Sequence, residues 1–121
     1  MTDFTIDRNN FRKLFINNTS RMLLGIWYLA KGSRFPFASI MELLSLPEDA
    51  LEGKLQTFAG LGLAHLHTTH QGEREVEFLP SPNAEIDRQV AEFFAGRQND
   101  FQAIEQKVNS LLYKTILMAP L

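Results

Sequence analysis

Apolar residues recur every three or four positions along most of this chain, which is the spacing of amphipathic helices. The first four predicted helices cover residues 8–18, 20–32, 38–46 and 48–62. The second is apolar on nearly every side, so we expect it to be the most buried. In the fourth, Leu51, Leu55 and Phe58 share one face, and the opposite face is polar or small. The pattern therefore predicts a mostly α-helical fold.

Cap residues mark the ends of these helices. Asp7 is a candidate N-cap of the first helix, and Thr19 or Ser20 of the second, because their side-chain oxygens accept hydrogen bonds from free backbone N–H groups. Gly32 is a candidate C-cap, since glycine adopts the left-handed conformation without a steric penalty. Pro47 suits the first position of the next helix.

Alternation of apolar and polar residues predicts strands in two places. Residues 3–7 form a candidate short strand, and residues 63–79 read as two strands about a turn at Gln71 and Gly72. Residues 33–37 are predicted to be a loop. The sheet is therefore expected to be a small hairpin attached to the helices.

The C-terminal part, Ala84 to Leu117, is predicted to be helical with one weak point at Gly96, and Asn83 is a candidate cap. Its apolar residues form a seam with steps of four and three, interrupted by Arg97 and Thr115. The expected interface residues are Val90, Phe94, Phe101, Ile104, Val108 and Leu111. This seam packs either on a second copy, the arrangement we expect, or on the domain of the same chain.

Composition narrows the function classes. The 121 residues suit one domain, and the absence of cysteine excludes disulfides, thiolate zinc sites and cysteine nucleophiles. The longest apolar run has nine residues, Met22 to Ala30, whereas a membrane span needs about 20. Because the N-terminus also lacks a signal-peptide pattern, we expect a cytoplasmic protein with no membrane contact.

Charge is unevenly distributed along the chain. Residues 1–34 hold six basic and two acidic side chains, a net charge of +4. Residues 35–79 hold two basic and seven acidic side chains, a net charge of −5. The basic charge therefore precedes the predicted hairpin and the helix next to it.

The order helix, helix, helix and two-stranded wing over Ser20–Leu79 resembles the winged helix-turn-helix regulators of the MarR, ArsR and PadR kind. The resemblance is carried by "RMLLGIWYLAKG", "FASIMELLSL", "PEDALEGKLQTFAGLGLAHL" and "HTTHQGEREVEF". Its most specific features are the "EL" of "MELLSL", the ladder of Leu51, Leu55 and Phe58, and the "GLGLAHL" exit. It implies a winged helix-turn-helix domain over 1–82 and a long C-terminal dimerisation helix over 83–121.

The resemblance also implies a function, that of a homodimeric transcriptional regulator binding double-stranded DNA. The third helix of the winged helix-turn-helix, which is the fourth predicted helix of the chain (48–62), would enter the major groove. The wing would reach the minor groove. The expected DNA-binding residues are Arg34, Ser39, Lys54, Gln56, Thr57 and Arg74. Glutamine can pair with adenine, and threonine can contact a phosphate or a thymine methyl group.

One departure from the family leaves an alternative open. The third helix carries Glu48, Asp49 and Glu52 against Lys54, and phosphates repel acidic groups. These acids either interact favourably with the helix N-terminus or form a binding surface themselves. The alternative function is therefore a protein–protein interaction module whose acidic face meets a basic partner.

Other chemistry has weaker support. His65, His67 and His70 match no recognised metal-binding spacing, so we expect no metal site. The chain has no glycine-rich phosphate loop and no nucleophile signature, so we expect neither catalysis nor a cofactor. A pocket for a small-molecule effector among the aromatic residues is an open alternative.

Overall fold

The computed structural model describes the backbone of residues 8–118 and the side chains of residues 11–113. The helices are α1 (Arg8–Lys13), α2 (Asn18–Ala30), α3 (Phe37–Leu44), α4 (Glu48–Gly60), α5 (Ala84–Ala95) and α6 (Gln98–Met118). The strands are β1 (Arg34–Pro36), β2 (Ala64–Thr68) and β3 (Arg74–Phe78). The expectation of a mostly helical fold with a small antiparallel sheet and a long C-terminal helix is confirmed. The predicted strand 3–7 and the Asp7 cap lie outside the described residues.

The sheet has three strands, one more than the sequence predicts. Its order is β1-β3-β2, and both pairings are antiparallel. β1 lies within the predicted loop 33–37, where Phe35 is buried and pairs with Val76. Gly32, with a φ of 86°, turns the chain into β1, and its N–H donates to the carbonyl of Phe78 at 2.6 Å. Antiparallel pairing thus fixes the chain between α2 and α3 against β3.

The core lies between α2 and the elements around it. Trp27 is fully buried, and its indole N–H donates to the carbonyl of Leu79 at 2.8 Å. The ladder of Leu51, Leu55 and Phe58 is also fully buried, as its spacing predicts. Burial of this kind contributes about 1.5–3 kcal/mol for each large apolar side chain.

Two helix starts differ from the expected positions. Asn17, rather than Thr19 or Ser20, is the N-cap of α2, because its Oδ1 accepts from the backbone N–H of Ser20 at 3.0 Å. Pro47 lies one position earlier than expected, as the N-cap of α4. The prediction of Asn83 as a cap is confirmed, since its side chain accepts from Ile86 at the start of α5.

The predicted single C-terminal helix is two helices. The chain breaks at Gly96, and α6 packs along α2. Five of the six expected interface residues are buried within this one chain: Val90, Phe94, Ile104, Val108 and Leu111. Phe101 is half-buried against Tyr28 and Phe94. In the folded chain the seam therefore packs on the chain's own helices, the second of the two arrangements considered above.

Gly25 allows α6 to lie this close to α2. A Cβ at Gly25 would lie 2.8 and 2.9 Å from two carbons of Ile104 and 3.3 Å from a ring carbon of Phe94.

Among residues 8–118, no helix has the length and apolar content needed to cross a membrane.

Candidate nucleic-acid interface

The exposed face of α4 is the first candidate surface. Two acidic residues, Glu48 and Asp49, occupy its first turn. Their negative charges interact favourably with the partial positive charge of the helix N-terminus. While the apolar ladder points inward, Gln56 and Thr57 are exposed, and the Thr57 hydroxyl donates to the carbonyl of Gly53 at 3.2 Å. α4 thus presents a polar face of short side chains to solvent.

An open depression of about 610 Å³ separates this face from the junction of α1 and α2. The residues that border it are Lys13, Leu14, Asn17 and Ser20 on one side and Asp49, Ala50, Gly53, Lys54 and Thr57 on the other. The ammonium of Lys54 lies 3.2 Å from the hydroxyl oxygen of Ser20. Gly53 has open space where a Cβ would project, so a bulky group can approach the helix backbone here.

Lys13 is a functional candidate that the sequence analysis did not single out. It is exposed, it makes no ion pair within the described part of the chain, and it borders the depression opposite Lys54. The available signal was the net charge of +4 over residues 1–34, whose basic side chains the fold partly brings beside α4. Two cations thus flank the polar face of α4.

Arg74, expected to bind DNA, is instead paired with carboxylates of the same chain. Its two terminal nitrogens lie 3.0 Å from Glu48 Oε1 and 3.1 Å from Glu52 Oε1. Its guanidinium carbon also lies 4.1 Å from the ring centroid of Phe37. Arg74 lies two residues before buried Val76 in β3. Because residues two apart in a strand lie on the same face of the sheet, Arg74 points towards the helices, as Val76 does.

Arg34 lies in a charged cluster on the opposite face of the sheet. Its guanidinium nitrogens lie 3.5 Å from the carboxylates of Glu75 and Glu77. His67 Nε2 lies 2.6 Å from Glu77 Oε1, and this hydrogen bond lowers the pKa of Glu77, with Arg34 adding to the effect. Two carboxylates therefore already neutralise Arg34, and it is separated from the α4 face.

The three histidines do not converge on one point of the structure. The rings of His65 and His67 are 4.3 Å apart on β2, whereas His70 lies in the exposed turn after that strand. Within the described residues, no group of three His, Asp or Glu side chains has an arrangement that could hold a metal ion.

Ser39 is the remaining expected DNA-binding residue, and it lies on the side of α3 that faces α6. It borders a cavity of about 290 Å³ together with Lys107 and Ser110. Of the six expected residues, the fold therefore brings together Lys54, Gln56 and Thr57 on α4, and it places Arg34, Ser39 and Arg74 in three other environments.

Comparisons of this chain with profiles of known protein families, with curated proteins and with solved structures found no match.

Proposed function

We propose that this chain is a winged helix-turn-helix module that binds double-stranded DNA, with α4 as its recognition helix. The order α2-β1-α3-α4-β2-β3 and the sheet order β1-β3-β2 support the proposal. β2 and β3 would form the wing. In such modules the second helix of the helix-turn-helix pair lies in the major groove, and α4 holds that place after α3.

The observation that carries the proposal is the pair of cations beside the polar face of α4. Lys13 and Lys54 border one depression from opposite sides, with Thr57 on its edge and Gln56 exposed on the same helix. Phosphate contacts from lysine supply affinity, whereas glutamine and threonine can contact base edges in the major groove. The face therefore combines groups for both kinds of contact.

The acidic residues of α4 fit this proposal because they are partly neutralised within the chain. Glu48 and Glu52 both pair with Arg74, and Asp49 lies in the first turn, where the helix N-terminus stabilises a negative charge. The sequence composition of α4 thus overstates the negative charge that approaching DNA would meet.

The test is a titration of a labelled mixed-sequence duplex at several salt concentrations between about 50 and 200 mM. We expect Lys13→Gln and Lys54→Gln each to reduce the slope of log affinity against log salt by about 0.9, the value for one phosphate contact. Lys107→Gln is the matched control, because Lys107 lies on α6 and does not border the depression. Equal slopes for all three variants, or no binding by the wild type at the lowest salt, would contradict the proposal.

A second candidate is the protein–protein interaction module. It is favoured by one observation, that carboxylates on α4 and β3 already pair with both Arg74 and Arg34. Both arginines are among the residues expected to bind DNA. A folded protein that retains no duplex at low salt but binds basic peptides would support this candidate.

The homodimer remains a proposal with a different interface from the one expected. Because the seam is covered within the chain, a second copy would have to use apolar groups that are still exposed. Leu112 and Tyr113 near the end of α6 are 37% and 63% exposed. Tyr113→Lys is expected to shift a dimer towards monomer in sedimentation experiments, whereas an unchanged dimer would exclude this surface.

A further inference from the structure

Arg74 connects the wing to both helices of the helix-turn-helix pair. It begins β3, reaches Glu48 and Glu52 in the first two turns of α4, and lies over the ring of Phe37 at the start of α3. We call these four residues the Arg74 latch. In the latch, both terminal nitrogens of the guanidinium are paired with carboxylates of the same chain.

The latch lies where the proposed DNA surface needs a cation. Arg74 directly follows the turn of the β2–β3 hairpin, and Glu48 begins the recognition helix. In its paired form the latch contributes one positive and two negative charges. A phosphate approaching the wing therefore meets a net negative charge, although an arginine lies within the group.

We propose that the Arg74 latch is an autoinhibitory contact: in the free protein it holds on α4 the arginine that would otherwise bind a DNA phosphate from the wing. This inference rests on the proposed function, because it assumes that the wing and α4 face DNA.

The exchange is physically reasonable because phosphate and carboxylate oxygens compete for the same guanidinium donors. The carboxylate partners are also accessible, since the side chains of Glu48 and Glu52 are 62% and 39% exposed. Ion pairs of this exposure are weak and are screened by salt, so they can be replaced.

A double-mutant cycle in duplex binding tests the latch. The variants are Glu48→Gln/Glu52→Gln, Arg74→Gln, and the triple variant that combines them. Releasing Arg74 adds one phosphate contact, so the Glu-to-Gln pair should steepen the salt slope by about 0.9 relative to the triple variant. Between 50 and 200 mM salt, that slope corresponds to an additional loss of affinity of about 3.5-fold.

The sign of the coupling distinguishes the latch from static screening. If Arg74 is released, the Glu-to-Gln pair raises affinity more when Arg74 is present than when it is Gln. If Arg74 stays in place and only shields the carboxylates, the same pair raises affinity more in the Arg74→Gln background. Equal gains in both backgrounds or a larger gain in the Arg74→Gln background would overturn the latch.

Asp49→Asn is the matched control, since Asp49 lies in the same helical turn as Glu48 but is not one of the two carboxylates paired with Arg74. Its effect on affinity should be the same in both Arg74 backgrounds. Thermal unfolding of each variant checks that all of them are folded.

Failure of the latch and failure of the proposed function give different results. Duplex binding by the wild type without positive coupling overturns the latch and leaves the proposed function standing. No duplex binding by any folded variant, including the Glu-to-Gln pair, overturns both. Duplex binding by the wild type that is strengthened in the Glu-to-Gln pair and weakened again in the triple variant supports both.

Discussion

Gly25→Ala tests the packing of α6 on α2 more sharply than any other single change. The added Cβ would lie 2.8 Å from Ile104 Cδ1 and 2.9 Å from Ile104 Cγ2, with Phe94 Cζ at 3.3 Å. Both Ile104 and Phe94 are at most 4% exposed. The Cδ1 end of the isoleucine can move aside by rotation about χ2, but Cγ2 is attached directly to Cβ and moves only if χ1 changes or the backbone shifts.

The expected effect combines two opposing terms. Overpacking a dense core costs about 1–3 kcal/mol. Replacing glycine by alanine inside a helix returns about 1 kcal/mol. We therefore expect Gly25→Ala to lower the free energy of unfolding by up to about 2 kcal/mol, at roughly 4 °C in Tm per kcal/mol for a domain of this size.

Gly53→Ala is the matched control, because Gly53 lies inside α4, a helix of the same length, with nothing within 4 Å of the added Cβ. It should raise the free energy of unfolding by about 1 kcal/mol. Urea denaturation followed by the fluorescence of Trp27, the single and fully buried tryptophan, measures both variants. A Gly25→Ala variant stabilised as much as Gly53→Ala would refute close packing of α6 on α2.

Three further outcomes are expected. Burial alone would raise the pKa of Asp87, but hydrogen bonding, mainly from Lys31, lowers the net pKa, so its stabilising effect is present above the unfolded pKa and is lost as the pH falls through the folded one. Asp87→Asn should therefore reduce the loss of stability on acidification, as measured by urea midpoints between pH 6 and 3. Asn83→Ala removes the N-cap of α5 and should cost about 1 kcal/mol in the same denaturation assay. Trp27→Phe leaves the carbonyl of Leu79 without its indole donor and should cost about 1–3 kcal/mol, measured by thermal unfolding followed by circular dichroism.

Helical spacing predicted the parts of the fold that depend on local burial. The ladder of Leu51, Leu55 and Phe58 is buried as its steps of four and three predict, and Asn83 caps α5 through its own side chain. β1 was missed because it has three residues and ends at Pro36, so it offers almost no alternation to read. Its pairing with β3 is a tertiary interaction between residues about 40 positions apart.

The C-terminal seam shows a second limit of what residue spacing can predict. An apolar stripe with steps of four and three must be covered, but its spacing does not say whether a partner or the same chain covers it. The break at Gly96 allows α6 to turn back along α2, and Gly25 provides the space for it. The pairing of Gly25 with Ile104 was therefore not readable from either segment alone.

Arg74 illustrates a signal that was present but unused. Because residues two apart in a strand share a face, an arginine in phase with buried Val76 and Phe78 is expected to point towards the helices. Its partners Glu48 and Glu52 are about 25 residues away, so the ion pairs themselves required the fold. Lys13 likewise joined the candidate site only through the position of α1 beside α4.

Selection from a pool of random-sequence DNA duplexes at moderate salt tests the central proposal most directly. If α4 reads bases through residues such as Gln56 and Thr57, the recovered duplexes should share an enriched motif. The same selection with Gln56→Ala should weaken the preference at one base pair of that motif, by about 1–3 kcal/mol. Recovery of no motif by the folded wild type, at salt concentrations where it remains in solution, would contradict sequence-specific DNA binding.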